Sequence, residues 1–298
     1  KKPRTMSQAL ATRWETIKSI LFELFPHHLV SRMTYWSTRQ RWPFVKFAIK
    51  QFIKFFKVEM QDAQITDLAD YATFNAFFTR ELVAGSRPIE QDANLLSSPC
   101  DGRISQFGKI EHASLIQAKG KYFTVDEFLT PACQHRAVFE NGNFCTLYLS
   151  PRDYHRVHMA YAAQLIEMVY VPGRLFSVAP YAPKTIDKLY ARNERVACIF
   201  KTSHGYMASV MVGAVNVAAI ETVWAGLITP PHLDHPIQHD YQQQNIHLDK
   251  GDHMGTFNMG STVVMLYSEN FGVALDSLSI DQKVLMGEKI AHAQIAQA

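Results

Sequence analysis

Beyond residue 95 the spacing of apolar residues changes, and that change restricts the fold more than any other feature of the chain. Up to about residue 83 they recur every three or four positions; after 95 they come in short runs divided by turns. The runs cover 102–108, 144–149, 165–171 (closed by Pro172-Gly173), 196–201, 207–212, 214–224 and 263–267. Alternation, β-branching and regular Gly and Pro turns predict a mainly antiparallel β domain. One short helix is expected within it at 124–130, where Thr124 can cap and Asp126 and Glu127 fall in the first turn. Residues 230–253 are polar, with three prolines and a Gln run, and read as an exposed loop. The expected class is α+β.

The helical part comes first. Leu10, Trp14, Ile17, Leu21 and Leu24 predict a helix over 8–25, stopped by Pro26. A second is expected over 43–58, with Pro43 at its first position. A third is expected over 66–83, with Thr66 as a cap and Tyr71, Phe74, Phe77 and Phe78 as core. In the second, Lys46, Lys50, Lys54 and Lys57 form one narrow stripe. Phe44, Phe47, Ile49, Phe52, Ile53, Phe55 and Phe56 cover most of the rest. A packing helix with solvated lysines would show this pattern, and so would a helix lying in a membrane interface. Charge selects between them. Residues 1–60 hold twelve Lys and Arg against three Asp and Glu (net +9), leaving −6 for the remainder out of a formal +3. Such a leader suits an anionic surface, and Trp14, Tyr35, Trp36 and Trp42 suit the headgroup level. Residues 1–65 are therefore expected to bind membrane and 66–298 to form the β-rich catalytic domain. No RNP-like aromatic strand or zinc motif accompanies the charge, so no nucleic-acid partner is expected. No run reaches the ~20 apolar residues a spanning helix needs, and no secretory leader is expected. Cys100, Cys133, Cys145 and Cys198 form no CxxC pair and read as free thiols in a reducing compartment.

Several stretches carry candidate chemistry. Asp101 sits in Ser98-Pro99-Cys100-Asp101-Gly102-Arg103, a tight turn at a strand start. Arg152, Asp153, Tyr154, His155, Arg156 and His158 crowd the end of an apolar strand, a poor choice for a core and a good one for a site. A solvated loop is the plainer reading, and the HxxH spacing could hold a metal. Arg192-Asn193-Glu194-Arg195 is a charged turn before a buried-looking strand. His232, His235, His239 and His247 could bind zinc, although no expected element fixes their spacing. Near the C-terminus, Gly260 precedes the hydroxyl of Ser261 and an apolar run. Asp101, His158 and Ser261 make an acid–base–nucleophile set available. No GxSxG elbow surrounds Ser261, so an α/β-hydrolase is not indicated. The residues alone leave open a zinc hydrolase using His155, His158 and the 232–247 histidines, and a non-enzymatic membrane-binding module.

The motifs and their order resemble the bacterial phosphatidylserine decarboxylases over nearly the whole chain. They include Phe77-Phe78-Thr79-Arg80, Arg87-Pro88-Ile89, Pro99-Cys100-Asp101-Gly102 and Gln117-Ala118-Lys119-Gly120. The most specific is the unbroken run from Tyr148 to Met159; Tyr170-Val171-Pro172-Gly173, Ala191–Val196, Glu221–Gly226 and Met259-Gly260-Ser261-Thr262 follow. Met259 stands where the family commonly has Leu, and Cys100 and Ala160 where Ala and Pro are familiar. The 232–250 stretch matches poorly, and nothing is carried onto its histidines.

The resemblance implies a self-cleaving proenzyme. Asp101 would orient and charge-balance His158, and His158 would take the proton from Ser261 Oγ, which attacks the Gly260 carbonyl. Elimination of the resulting ester would leave a pyruvoyl group at 261 as the covalent cofactor. It would form a Schiff base with phosphatidylserine and release CO2, giving phosphatidylethanolamine for phospholipid biosynthesis, with His155 handling the proton of decarboxylation. No metal is implied. The resemblance further implies chains 1–260 and 261–298 that stay associated, a homodimer of that unit, a partly barrel-sandwich, lipoyl-like catalytic domain, and a peripheral place on the cytoplasmic face of the inner membrane.

Overall fold

Ser261–Tyr267 (STVVMLY) is buried at every residue. A continuous apolar run fits a strand covered on both faces. It pairs with Asn143–Leu149 on one edge and Tyr206–Val212 on the other. The computed structural model describes residues 27–214, 219–230, 232–259 and 261–293.

Around this strand lies the largest sheet, in the order Ile237–Asp240, Ala163–Val171, Arg195–Lys201, Tyr206–Val212, Ser261–Tyr267, Asn143–Leu149, Gly102–Lys109 and Lys283–Val284, with His247–Leu248 also on Ala163–Val171. A second sheet runs Gly226–Thr229, Ala219–Thr222, His253–Asn258, Arg156–His158. Two smaller sheets complete the set: Leu95–Ser97, Lys289–Ala293, Val273–Ala274, and the hairpin Ser114–Ala118 with Lys121–Thr124. Every pairing between these strands is antiparallel. The fold is α+β with mostly antiparallel sheets, and among the described residues none closes into a barrel. One core, including Phe144, Leu147, Phe200, Val210 and Val264, fills the interior. Each such side chain contributes roughly 1.5–3 kcal/mol by leaving water. All four cysteines are free and buried within it.

Outside the sheets stand helices α1 (His27–Thr38), α2 (Val45–Phe56) and α3 (Phe74–Phe78). α2 has three faces. Val45 and Ile49 are buried, and with Phe52, Ile53 and Phe56 they pack on Leu68, Tyr71, Phe74 and Phe77 in a small second core. This core spans the expected 65/66 boundary. Phe44, Phe47 and Phe55 are exposed, next to the lysine stripe. The helix therefore both packs and presents an apolar face.

Several elements differ from expectation. The 8–25 helix lies outside the described residues. α1, immediately after Pro26, was not anticipated from its β-branched and aromatic sequence. The 66–83 helix is reduced to α3, because Thr73, not Thr66, caps it by accepting Ala76 N–H at 3.1 Å. Phe77 then buries in the α2 core, and Phe78 lies between Phe52 of α2 and His155. The chain beyond is drawn back to 62–64 by the Ala63–Leu82 bridge and by Gln64 N–H on Glu81 O. The 230–253 loop contains two short strands, Ile237–Asp240 and His247–Leu248, on the edge of the large sheet. Of 214–224, Ala219–Thr222 is strand, and 215–218 lie outside the described residues. The 124–130 helix is present as Val125–Leu129 with a full Thr124–Glu127 capping box.

Candidate active site

Two neighbouring strands leave one sheet for the other side by side. Asn143–Leu149 belongs to the large sheet, and after the 150–155 turn Arg156–His158 joins the small one. In the reverse sense His253–Asn258 lies in the small sheet and Ser261–Tyr267 in the large one. The registers match: Ser261 faces Leu149, while Thr256 faces Arg156 and His253 faces His158. Phe257 N–H also donates to His155 O at 3.0 Å. The junction thus gathers residues that the sequence holds a hundred positions apart.

Ser261 is fully buried, and among the described residues its Oγ has no hydrogen-bond partner. Leaving a buried hydroxyl unpaired costs about 1–3 kcal/mol, so it calls for an explanation. Ser261 pairs with Leu149 on one edge, whereas pairing on the other begins only at Thr262 with Val212. Two residues upstream Met259 has φ +92°, a left-handed conformation that is strained for a side-chain-bearing residue. Gly260 lies outside the described residues.

His158 Nδ1 is 2.8 Å from the Gly251 carbonyl, and its Nε2 is 3.1 Å from Tyr154 Oη. A carbonyl only accepts, so Nδ1 carries the proton and Nε2 presents its lone pair to the Tyr154 hydroxyl. Burial lowers the His158 pKa, against the pull of the Gly251 carbonyl and the Asp101 and Asp252 charges. Burial also pushes Tyr154 up to about 12, which keeps that hydroxyl a donor. His155 is wholly buried, stacked on Phe78 with ring centroids 4.2 Å apart, and neither ring nitrogen has a partner. Burial, reinforced by the nearby Arg80 charge, takes it down to about 3; the Ser150 and Pro151 carbonyls pull the other way without reaching hydrogen-bond geometry. Both rings are neutral at pH 7.

Asp101 is held elsewhere than on the His158 ring. Arg87 donates to both of its oxygens, Nη2 to Oδ2 at 2.8 Å and Nε to Oδ1 at 3.0 Å, and Met286 N–H donates to Oδ1 at 2.8 Å. Its link to His158 runs through the backbone, since Pro99 O accepts His158 N–H at 2.7 Å. Gly102 lets that turn lie against the neighbouring strand: a Cβ there would come within 2.5 Å of Tyr148 O. The orienting group on His158 Nδ1 is therefore the Gly251 carbonyl. Among the described residues no three His, Cys, Asp or Glu side chains converge as a metal site. His232 pairs with Glu194 and His235 with Asp234.

A family profile described as phosphatidylserine decarboxylase matches residues 74–292, and one described as PSD matches 17–57. The chain belongs to the phosphatidylserine decarboxylase family. It is 50% identical over 258 residues to the phosphatidylserine decarboxylase proenzyme of Alkalilimnicola ehrlichii, covering 86% of this chain and 90% of the relative. It is 47% identical over 278 residues to that of Stutzerimonas stutzeri (92% and 94% covered), and 43% identical over 287 residues to that of Actinobacillus pleuropneumoniae (95% and 97% covered).

The site of this decarboxylase gathers residues that no sequence motif marks. Gly251 offers its carbonyl to His158 Nδ1, which no side-chain motif announces. His253, expected in a loop, has its ring centroid 5.4 Å from that of His158 and is taken down to about 4 by burial and by its neighbour His158. Arg80 is buried with its Nε unpartnered, placing a cation beside His155. Arg39, following α1, donates to Asn258 Oδ1 at 3.0 Å and reaches Glu221 at 3.4 Å, tying the helix to the strand that leads to Ser261. Its only sequence signal was the basic excess of the leader.

Proposed function

We propose that this phosphatidylserine decarboxylase cuts its own Gly260–Ser261 bond and converts Ser261 into the pyruvoyl group with which it turns phosphatidylserine into phosphatidylethanolamine and CO2. The observation that carries this reading is the buried Ser261 Oγ, without a hydrogen-bond partner among the described residues, at the sheet junction that also holds His155 and His158, two residues after a strained one.

In self-cleavage Ser261 Oγ attacks the Gly260 carbonyl carbon. His158 takes the hydroxyl proton and returns it to the departing nitrogen, so that an ester replaces the amide. The Nδ1–H to Gly251 bond suits it for this, because the lone pair is then on Nε2. Loss of the Cα proton expels Gly260 as a carboxylate. Water then replaces the nitrogen at 261, releasing ammonia. Asp101, clamped by Arg87, supports His158 through the Pro99 turn and by its charge. A pyruvoyl group would supply a carbonyl that condenses with the substrate amine and accepts the electrons freed as CO2 leaves. His155, dry and neutral against Phe78, handles the proton that replaces CO2.

Chains 1–260 and 261–298 stay together in this scheme, since the smaller begins as a buried strand paired on both edges. Two such units pair by family resemblance. Residues 1–65 bring the enzyme to the anionic cytoplasmic face of the inner membrane, and 66–298 carry the chemistry. Exposed Trp36, Trp42, Phe44, Phe47 and Phe55 beside the lysine stripe support that contact, and among the described residues no helix is long and apolar enough to cross a membrane. Intact mass of the purified protein tests the proposal. The expected result is two species divided at 260/261, the smaller blocked at its N-terminus, and one uncleaved, inactive chain for Ser261→Ala. A full-length protein that decarboxylates phosphatidylserine with Ser261 intact would overturn it.

A further inference from the structure

A cavity of about 670 Å³ opens between α1 and residues 227–234. Ser261, His155 and His158 do not line it. From α1 come His28, Arg32 and Tyr35, and from the facing segment His232. The floor is built with unusual care. Glu194 is buried, and its carboxylate accepts Tyr170 O–H at 2.7 Å, Thr229 O–H at 3.1 Å and His232 Nδ1–H at 2.8 Å. The His232 side chain is 9% exposed, and its Nε2 is buried without a hydrogen-bond partner among the described residues. Fixing Nδ1 on a carboxylate sets the ring's orientation and leaves Nε2 for another partner. The His28 ring lies 4.6 Å from that of His232. Arg32 is exposed, and among the described residues no carboxylate pairs with it. Asp234 also lines the cavity, but its carboxylate is turned to solvent and bonded to His235 Nδ1 at 2.6 Å.

The other side of the rim is apolar. Positions 28, 32, 35 and 39 share one side of α1, and Arg39 pins that side to Asn258 and Glu221. Positions 29, 33 and 36 form the adjacent stripe, where Leu29, Met33 and Trp36 are 58, 62 and 57% exposed. Trp36 continues the patch through Trp42 to Phe44, with ring centroids 5.8 and 5.7 Å apart. A cavity that offers an exposed guanidinium and imidazole nitrogens beside an exposed apolar stripe fits an amphiphile with an anionic head.

We infer that His28, Arg32 and His232 form a binding site for the phosphodiester of an anionic membrane lipid, whose acyl chains lie along Leu29, Met33 and Trp36, and that this site is separate from the reacting residues. It holds the enzyme on a membrane by a lipid that it does not consume.

Full-length Ser261→Ala protein binding to phosphatidylcholine vesicles with and without phosphatidylglycerol tests this. Neither lipid is the substrate, so the outcome does not depend on the decarboxylase reading. Lys54→Gln, on α2 outside the cavity, measures the general loss per surface charge, about 5-fold. Arg32→Gln is expected to weaken binding to phosphatidylglycerol vesicles about 30-fold, as loss of a charge-assisted hydrogen bond adds to the charge effect. His232→Gln is expected to weaken it about 10-fold, with binding to pure phosphatidylcholine unchanged. Leu227→Trp, which fills the cavity and spares Glu194, should reproduce the loss if His232→Gln does not fold. An Arg32→Gln protein that loses no more than Lys54→Gln, with Leu227→Trp unaffected, would overturn the inference. So would soluble glycerol phosphate occupying the site as tightly as the lipid in a His232-dependent way, because the site would then serve a free phosphate ester.

Discussion

Arg87→Met is the most informative single perturbation, because Arg87 and Asp101 form a buried pair whose partners do different jobs. Their side chains are 12 and 7% exposed, so water screens them little. Removing Arg87 leaves the Asp101 carboxylate with one hydrogen bond, from Met286 N–H. Breaking a buried pair in this way costs about 3–5 kcal/mol. At about 2–4 °C per kcal/mol for a chain this large, melting should fall by about 6–20 °C. Asp101→Asn should cost less, about 1.5–3 kcal/mol, as Asn keeps an oxygen for Met286 and Arg87 keeps Asp62 at 2.8 Å. The double variant removes both charges and should be clearly more stable than the sum of the singles predicts. Melting is read on the Ser261→Ala background, where every molecule is uncleaved, and cleavage is timed by gel with Ser261 restored. If Asp101 serves mainly to hold the turn whose Pro99 carbonyl fixes His158, the double variant should recover cleavage along with stability. An Arg87→Met protein melting within about 1 °C of its parent, or a double variant as unstable as the summed singles, would refute the argument.

If His158 is the base of self-cleavage it must be neutral, and burial lowers its pKa from the ordinary 6.5, so cleavage of freshly made precursor should be level from pH 6.5 to 8 and fall only in more acid solution; a midpoint above pH 7 would contradict this. Folded His155 and His253 titrate at about 3 and about 4, whereas unfolded histidine titrates near 6.5. The unfolded chain therefore binds the extra protons, and stability present above pH 6.5 should drop by about 1.4 kcal/mol per pH unit per histidine on acidification. His155→Phe keeps the stack on Phe78, so it should be cleaved and decarboxylate poorly, and its acid slope should be shallower by one histidine's share in thermal melts. Met259→Gly relieves a φ of +92°; if that strain of roughly 1 kcal/mol drives the cut, cleavage should slow about 5-fold, and an unchanged or faster rate would remove strain from the mechanism.

The β elements were legible because they are buried on both faces and read as unbroken apolar runs; Ser261–Tyr267 and Tyr206–Val212 are of this kind. Pairing order was not, since nothing local says that 261–267 lies between 143–149 and 206–212. The Tyr148–Met159 run marked the site by its density of polar side chains after an apolar strand. Its partners were hidden for separate reasons. Gly251 contributes a backbone oxygen. His253 sits in HMGTFN, whose weak alternation hides a buried strand. The pairing of Asp101 with Arg87 depends on tertiary contact between two turns. α3 is short because Thr73, not Thr66, caps it, a choice that an amphipathic pattern cannot encode.

The position of Ser261 would reconcile two opposing demands that the proposed self-cleavage makes. A peptide bond to be cut must be free to distort, which the interior of a sheet prevents by hydrogen bonding both of its edges. A group made from that residue must be held rigidly and kept dry, which only the interior provides. Ser261 meets both demands by standing at the first pair of a central strand. Upstream, Met259 is strained and the chain is crossing between sheets; downstream, Thr262 to Tyr267 are paired on both edges. Breaking the bond at 260/261 would thus relax the strained side and leave the other locked in place. Unlike an active site built on a surface loop, this arrangement would give the new N-terminus no freedom to leave. The same crossing strand is held by Arg39 through Asn258, which ties it to the helix carrying the exposed Trp36 stripe.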